Sequence, residues 1–256
     1  MAEISIVVPA RNEAGNMPAL LDGILLACDT GLEGRRFEVI VIDDASADST
    51  GDVVRQASAE DPRIRLLINP RNAGQSASVH SGVLAANGKW IATLDGDGQN
   101  PPAELPRLLG PLLDPGCDAE LGLVAGQRVK RRDSWSKRAA SRFANGVRSF
   151  VLKDATRDTG CGLKAFRRDA FLRLPYFDHM HRYLPALFAR DGWKVAHIDV
   201  AHQPRVAGSS NYSNLQRGLV GLVDLFGVFW LIRRKKKSRA VEVGTANLTP
   251  PKAKES

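Results

Sequence analysis

Two aspartates spaced two apart, Asp95 and Asp97, follow an apolar run in the segment KWIATLDGDGQ. Alternate residues at the end of a strand point to one side, so both carboxylates can face a single cation. Hard carboxylate oxygens suit Mg²⁺ or Mn²⁺, and such an ion would bridge to the oxygens of a diphosphate. Gly96 and Gly98 let the chain turn tightly and let a phosphate approach the backbone. Three other apolar runs end in polar groups. ISIVVPA runs into Pro9, Arg11, Asn12 and Glu13; FEVIVIDDAS carries Asp43, Asp44 and Ser46; IRLLINP is followed by Arg71, Asn72 and Gly74. In an open parallel sheet ligands bind at the carboxyl ends of the strands, so four such ends define one acidic, polar rim. The turn after the first run reads PARNEAGN rather than GxGxxG, which argues against a dinucleotide-binding dehydrogenase. No GxxxxGK[ST] and no GxSxG is present, which disfavours a P-loop NTPase and a serine hydrolase of the usual sheet type.

The elements that must position these residues alternate. Strands rich in Ile and Val are separated by helices predicted at 17–28, 48–59 (capped by Asp48 or Ser49) and 76–86, the last ending at a C-cap near Asn87-Gly88. This alternation predicts an α/β fold, a mainly parallel sheet with helices on both faces. The second half is less regular. It reads as a short helix at 103–113, a strand in AELGLVAGQR, a basic helix at 135–152, a strand running into a helix in CGLKAFRRDAF, a helix at 181–190 and a strand in WKVAHIDVAHQPR. Residues 214–232 form a further helix. Its spacing puts Leu215, Leu219, Leu222, Phe226, Phe229 and Trp230 on a broad apolar face and Arg217, Gly221 and Asp224 on a narrow stripe.

With 43% hydrophobic and 25% charged residues, the 256-residue chain is ordinary for a globular protein with one sizeable core. Three widely spaced cysteines without metal-ligand spacing fit a reducing compartment, and the amino terminus lacks the pattern of a secretory leader. The net charge of +8 is concentrated in two stretches, residues 128–148 and the run RRKKKSR at 233–239, which points to an anionic partner. Nucleic acid is disfavoured as that partner, because no recognition motif or aromatic interleaving accompanies the charge. The acidic rim would also go unexplained. The five histidines show no metal-ligand spacing and read as structural, His181 in HRYLP being the least settled.

Together the blocks VVPARNE, VIDDASADST, NPRNAGQSASVHSG, TLDGDGQNPP, GQRVKRRDSWSKRAASR, DTGCGLKAFRRDA, HRYLPAL and HQPRVAGSSNYS resemble family 2 glycosyltransferases of the GT-A fold. The resemblance extends over roughly residues 4–213. It is greatest to the polyprenyl-phosphate branch, the dolichol-phosphate mannosyltransferases and undecaprenyl-phosphate sugar transferases. It implies that Pro9, Arg11 and Glu13 hold the base and ribose of a nucleotide, with Arg11 standing where the family commonly has Tyr. Asp43 and Asp44 would contact the nucleoside. Asp95, Gly96, Asp97 and Gln99 match the DxDxQ motif, with Asp95, Asp97 and Gln99 on the metal. Arg128 and Arg138 match arginines that hold the acceptor phosphate, and Arg205 matches a donor-phosphate contact. Asn211 stands where the family often has Lys. Asp158 would orient the acceptor phosphate or the sugar.

The activity so implied is inverting transfer of a sugar from GDP-mannose or a UDP-sugar to a polyprenyl monophosphate. The acceptor oxygen is already anionic near neutral pH, so no strong general base is needed. Catalysis by Asp97, Arg128 and Asp158 would then rest on positioning and on stabilising the leaving diphosphate. The expected organisation is a glycosyltransferase domain at 1–213, an amphipathic helix with a polybasic segment at 214–239, and a disordered tail at 240–256. The helix and its basic run would hold the protein, peripheral or monotopic, on anionic lipid at the cytoplasmic face of the inner membrane. A family 2 transferase with a soluble or polysaccharide acceptor is the alternative enzyme.

Overall fold

A computed structural model of the chain describes residues 1–128, 152, 156, 158–201, 203 and 214–234. Seven strands form one sheet in the order β3-β2-β1-β4-β6-β5-β7. They are β1 (Ile4–Ala10), β2 (Phe37–Asp43), β3 (Ile64–Ile68), β4 (Trp90–Thr93), β5 (Leu121–Arg128), β6 (Lys164–Arg167) and β7 (Lys194–Val200). β1 pairs in parallel with β2 and β4, β2 with β3, and β5 with β7. β6 runs antiparallel to both neighbours, β4 and β5. The mainly parallel sheet expected from the alternation is therefore present, with one reversed strand inserted beside β4.

The helices are α1 (Met17–Gly31), α2 (Thr50–Glu60), α3 (Gly74–Ala85), α4 (Leu105–Leu113), the short α5 (Arg168–Phe171), α6 (Leu184–Arg190) and α7 (Asn214–Arg233). Short 3₁₀ turns at Pro102–Glu104 and Met180–Arg182 precede α4 and α6. Every residue of β2 is buried, as expected for a strand covered on both faces. One core layer joins alternate residues of β1 and β2 (Ile4, Ile6, Val8, Val39, Val41) to Leu20, Leu21 and Ile24 of α1 and Leu105, Leu108 and Leu109 of α4. The opposite layer joins Val7, Ile40, Ile42 and Phe166 to Val79 and Val83 of α3 and to Leu184, Leu187 and Phe188 of α6.

Ser49 is the N-cap residue of α2 and makes no side-chain cap bond; Asp48, one residue earlier, accepts at Oδ1 from the Thr50 N–H at 3.0 Å. The end of α3 differs from expectation. Ala86 is extended, with φ −67° and ψ 140°, and Gly88 is not a left-handed cap. A Cβ on Gly88 would lie 2.7 Å from the backbone of Ile4 and Ser5, so glycine is required there by close packing on β1. Asn87 and Gly88 instead give their N–H groups to Glu38 and Ser5.

Candidate active site

The carboxyl ends of β1, β2 and β4, with the start of α3, enclose a cleft of about 320 Å³ lined by Pro9, Arg11, Glu13, Asp44, Asp95, Gly96 and Asp97, with Asn72, Gly74, Gln75 and Ser78 opposite. The loops after β1 and β2 brace each other. The Asn12 N–H donates to Ser46 Oγ at 3.0 Å, the Ala47 N–H to Asn12 Oδ1 at 2.8 Å, and the Glu13 N–H to Thr50 Oγ1 at 2.9 Å. Asn12 and Ala45 take positive φ of 56° and 54°, strain that clusters at this rim.

The two acids of the second strand do different work. Asp43 is buried and accepts from the Ser46 N–H at 2.9 Å, and it does not line the cleft. Asp44 lines it while accepting from Asn69 Nδ2 at 2.8 Å and from the N–H groups of Ala73 and Gly74 at 2.8 and 2.9 Å. Asp44 thereby fixes the entry to α3, which carries Gln75 and Ser78 into the cleft.

Asp95 and Asp97 stand on the same wall. Gln75 Nε2 donates to Asp95 Oδ1 at 2.7 Å, and the Gln99 N–H to Asp97 Oδ1 at 3.1 Å. The Gln99 carbonyl accepts from the Gln203 N–H at 2.9 Å. Asn100 is 3% exposed, and its Nδ2 reaches Asp95 Oδ2 at 3.5 Å. Its Oδ1 lacks a hydrogen-bond partner among the described residues. Asp95 and Asp97 both line the cleft, and their hard carboxylate oxygens are of the kind that fits Mg²⁺ or Mn²⁺. No cluster of three or more acidic, His or Cys ligands occurs among the described residues, so the remaining ligands of such a cation would be phosphate and water.

Asp158 and Arg128, far apart in sequence, meet at the end of β5. Arg128 Nε and Nη2 donate to Asp158 Oδ2 and Oδ1 at 2.6 and 2.8 Å, a bidentate pair with side chains 15% and 11% exposed. Donation to the Asp158 carboxylate raises the Arg128 pKa above its ordinary value. The Arg128 charge is thus matched within the protein, and Asp158 is placed to hold this arginine. Arg138, Arg205 and Asn211 lie outside the described residues, as do the basic helix expected at 135–152 apart from Leu152 and the tail at 240–256.

Two cavity residues were not singled out as ligand contacts in the sequence. Lys164, first in β6 and 4% exposed, gives its Nζ hydrogen bond to the Cys161 carbonyl; burial lowers its pKa. His181 Nδ1 lies 2.7 Å from Ser76 Oγ, and burial holds the His181 pKa well below the ordinary value. Lys164 is legible only once the antiparallel β6 sets it beside β4, because the motif GLKAF reads simply as the start of a strand.

Residues 5–174 match the family described as Glycosyl transferase family 2. The chain belongs to that family. Among curated relatives, the undecaprenyl-phosphate 4-deoxy-4-formamido-L-arabinose transferases of Edwardsiella ictaluri and Aeromonas hydrophila are 33% and 34% identical, each over 87% of this chain. The chain spans 65% of the length of each. Among solved structures, the mannosyltransferase of Pyrobaculum calidifontis in complex with GDP-Man and Mn²⁺ is 25% identical with a TM-score of 0.63, covering 91% of this chain and 65% of that one. Glucosyl-3-phosphoglycerate synthase of Mycobacterium tuberculosis is 19% identical with a TM-score of 0.66, covering 93% of this chain and 80% of that one; the likeness is one of fold. The fold of this family 2 chain is GT-A.

The C-terminal helix α7 departs from the single apolar face expected of it. Leu225, Val228, Phe229 and Ile232 pack on the α6 side of the core, while Val223, Phe226 and Trp230 are 71%, 66% and 58% exposed. Gly221 and Asp224 of the narrow stripe face the body: Asp224 Oδ2 lies 3.1 Å from His179 Nδ1, and the Gly221 carbonyl accepts from Tyr183 Oη at 3.2 Å. No helix among the described residues is long and apolar enough to cross a membrane.

Proposed function

We propose that this family 2 glycosyltransferase moves a sugar from a nucleotide diphosphate sugar to a polyprenyl monophosphate at a membrane surface. The observation that carries the reading is the cleft in which Asp95 and Asp97 face Asn72, Gln75 and the Arg11–Glu13 turn. A cleft of this kind takes a nucleoside on its polar rim and a diphosphate near the paired carboxylates. The P. calidifontis neighbour, solved with GDP-Man and Mn²⁺, supports the donor class and the cation. The names of the curated relatives support undecaprenyl phosphate or a similar lipid as acceptor.

Asp95, Asp97 and, through Asn100 or Gln99, their neighbours would hold Mg²⁺ or Mn²⁺, which supplies electrophilic stabilisation of charge on the leaving diphosphate. Pro9, Arg11 and Glu13 hold the base and ribose, and Asp44 keeps Gly74 and Gln75 at the height of the phosphates. Asp43 acts behind Asp44 by fixing the Ser46 turn. Arg205, beyond the described residues, adds a donor-phosphate contact. Attack by the acceptor phosphate oxygen from the face opposite the diphosphate inverts the anomeric centre, and the proton balance needs no base. Arg128 and Arg138 meet the acceptor phosphate. Asp158 fixes the guanidinium plane of Arg128, so that its remaining N–H groups can serve an incoming oxyanion.

The exposed stripe Val223, Phe226 and Trp230 on α7 and the basic residues from Arg233 onward suit the interface of an anionic bilayer, with the apolar side chains entering it and the cations on headgroups. The location that goes with this reading is the cytoplasmic face of the inner membrane, on the side of the nucleotide-sugar donor. The test is transfer of labelled sugar into a lipid extract in the presence of polyprenyl phosphate and Mn²⁺. Label that appears instead on a water-soluble product would favour the soluble or polysaccharide acceptor.

A further inference from the structure

The diphosphate cleft continues past Gln75 and Asp95, which line both chambers, into a second cavity of about 380 Å³. Its far walls are Thr159, Gly160, Lys164, His181, Arg182 and Leu184. Lys164 is buried, and among the described residues its ammonium donates to one acceptor, the Cys161 carbonyl, although it carries three N–H donors. Burying an ammonium this deeply is unfavourable unless further acceptors complete it. His181 also lines this cavity, with its Nδ1 2.7 Å from Ser76 Oγ.

We propose that this second cavity receives the sugar of the donor and that Lys164 is a specificity-determining residue, donating to sugar oxygens and rejecting sugars that carry a free ammonium. The inference rests on the nucleotide-sugar reading given above. Three features support it. The sugar is joined to the distal phosphate, and Asp95 stands at the junction of the chambers, so the group beyond the diphosphate enters the second one. The volume suits a single sugar rather than a long lipid. The charge of the walls, Lys164 and Arg182 against an Asp95 engaged by a cation, favours hydroxyl, acyl carbonyl or carboxylate oxygens and opposes a like charge.

Calorimetric titration of the full chain with Mn²⁺ tests this. The probes are UDP and GDP, then, for whichever binds, its neutral hexose conjugate and its free-amine aminohexose conjugate in mildly acidic buffer. The proteins are the wild type, Lys164→Met, and Thr159→Trp, which fills the cavity from its half-exposed rim and leaves the buried lysine in place. The wild type should bind the neutral conjugate at least about ten-fold more tightly than the aminohexose conjugate. Lys164→Met should weaken the neutral conjugate about ten-fold, narrow the gap to the amine, and bind the nucleoside diphosphate as the wild type does. Thr159→Trp should weaken both conjugates and spare the diphosphate. Unchanged conjugate binding in both variants, or equal wild-type affinity for the neutral and amino sugars, would overturn the inference while leaving the donor reading intact. Failure of the wild type to bind either nucleoside diphosphate would instead overturn the donor reading itself.

Discussion

The carboxylate of Asp95 occupies the space where Gly162 would carry a side chain. A Cβ on Gly162 would sit 2.1 Å from Asp95 Oδ2 and 2.3 Å from its Cγ. The loop before β6 therefore forms the back wall of the acidic pair, and glycine is required by close approach, since φ there is not in the left-handed region. Gly162→Ala should displace the Asp95 carboxylate from its bond with Gln75. Transfer activity is expected to fall at least about a hundred-fold, as for loss of a preorganised electrostatic contact, with the circular dichroism spectrum retained. Wild-type activity in this variant would show that the Asp95 rotamer seen here is not the working one.

The second prediction concerns the cation. Asp97 lies on an open rim, so Asp97→Asn removes charge without opening a core cavity. Mn²⁺ together with UDP or GDP should raise the melting temperature of the wild type by linkage, and this gain should vanish in Asp97→Asn or with EDTA. Retention of the full shift in the variant would remove Asp97 from the metal set.

A third prediction separates the structural from the functional role of Arg128. The Arg128–Asp158 pair is mostly buried and bidentate. Breaking it from one side leaves an uncompensated charge, so Arg128→Ala and Asp158→Asn should each destabilise the fold by up to about 3–5 kcal/mol, with a coupling of about 1–3 kcal/mol in the double-mutant cycle. At a temperature where both remain folded, Arg128→Ala should raise the apparent KM for polyprenyl phosphate roughly ten- to hundred-fold and change nucleotide binding little. Collapse of donor binding instead would assign Arg128 to the donor.

These residues show how far the sequence is informative. Asp95, Asp97, Asp44 and the Arg11–Glu13 turn were readable because a parallel sheet delivers its strand ends to one rim, and local motifs state which residues those are. The two aspartates of DDAS could not be told apart, since only the path of the α3 entry loop shows that Asp44 turns into the cleft and Asp43 away. Lys164 escaped because its importance comes from the antiparallel pairing of β6 with β4, a contact between residues about seventy apart. The side of α7 that meets the core was not legible for a similar reason. Helical period gives the stripes but not which stripe meets the core, and the His179–Asp224 and Tyr183–Gly221 contacts turn Gly221 and Asp224 inward.

That orientation gives a fourth prediction. Phe226→Ser with Trp230→Ser should leave the melting temperature nearly unchanged, because both side chains are exposed, and should reduce flotation with anionic vesicles. Val228→Ser should do the reverse, costing about 1–3 kcal/mol of stability by placing a hydroxyl at a 1% exposed site. Undiminished flotation of the double variant would show that this stripe is not the anchor.

A fifth prediction concerns acid stability. Glu38 is buried in β2; despite the desolvation that opposes ionisation, hydrogen bonds from Ser5, Asn87 and Arg65 hold its pKa below the ordinary value. A depressed folded-state pKa contributes stability above the unfolded pKa and loses it as pH falls through the folded one. Wild type should therefore lose stability on acidification in the range below the ordinary glutamate pKa, and Glu38→Gln, less stable at neutral pH, should lose less over that range. Parallel pH profiles for the two proteins in denaturant titrations would contradict this role.

The central claim is that the acidic cleft drives sugar transfer onto a lipid phosphate. The most direct measurement incubates the full chain with nucleotide sugars labelled in the sugar, undecaprenyl phosphate and Mn²⁺, then partitions the product between organic and aqueous phases. The account predicts label in the organic phase, dependent on undecaprenyl phosphate, abolished by EDTA and reduced to background by Asp97→Asn. Organic-phase label that persists at the wild-type level in Asp97→Asn, or label that enters a water-soluble product whether or not the lipid is present, would contradict it.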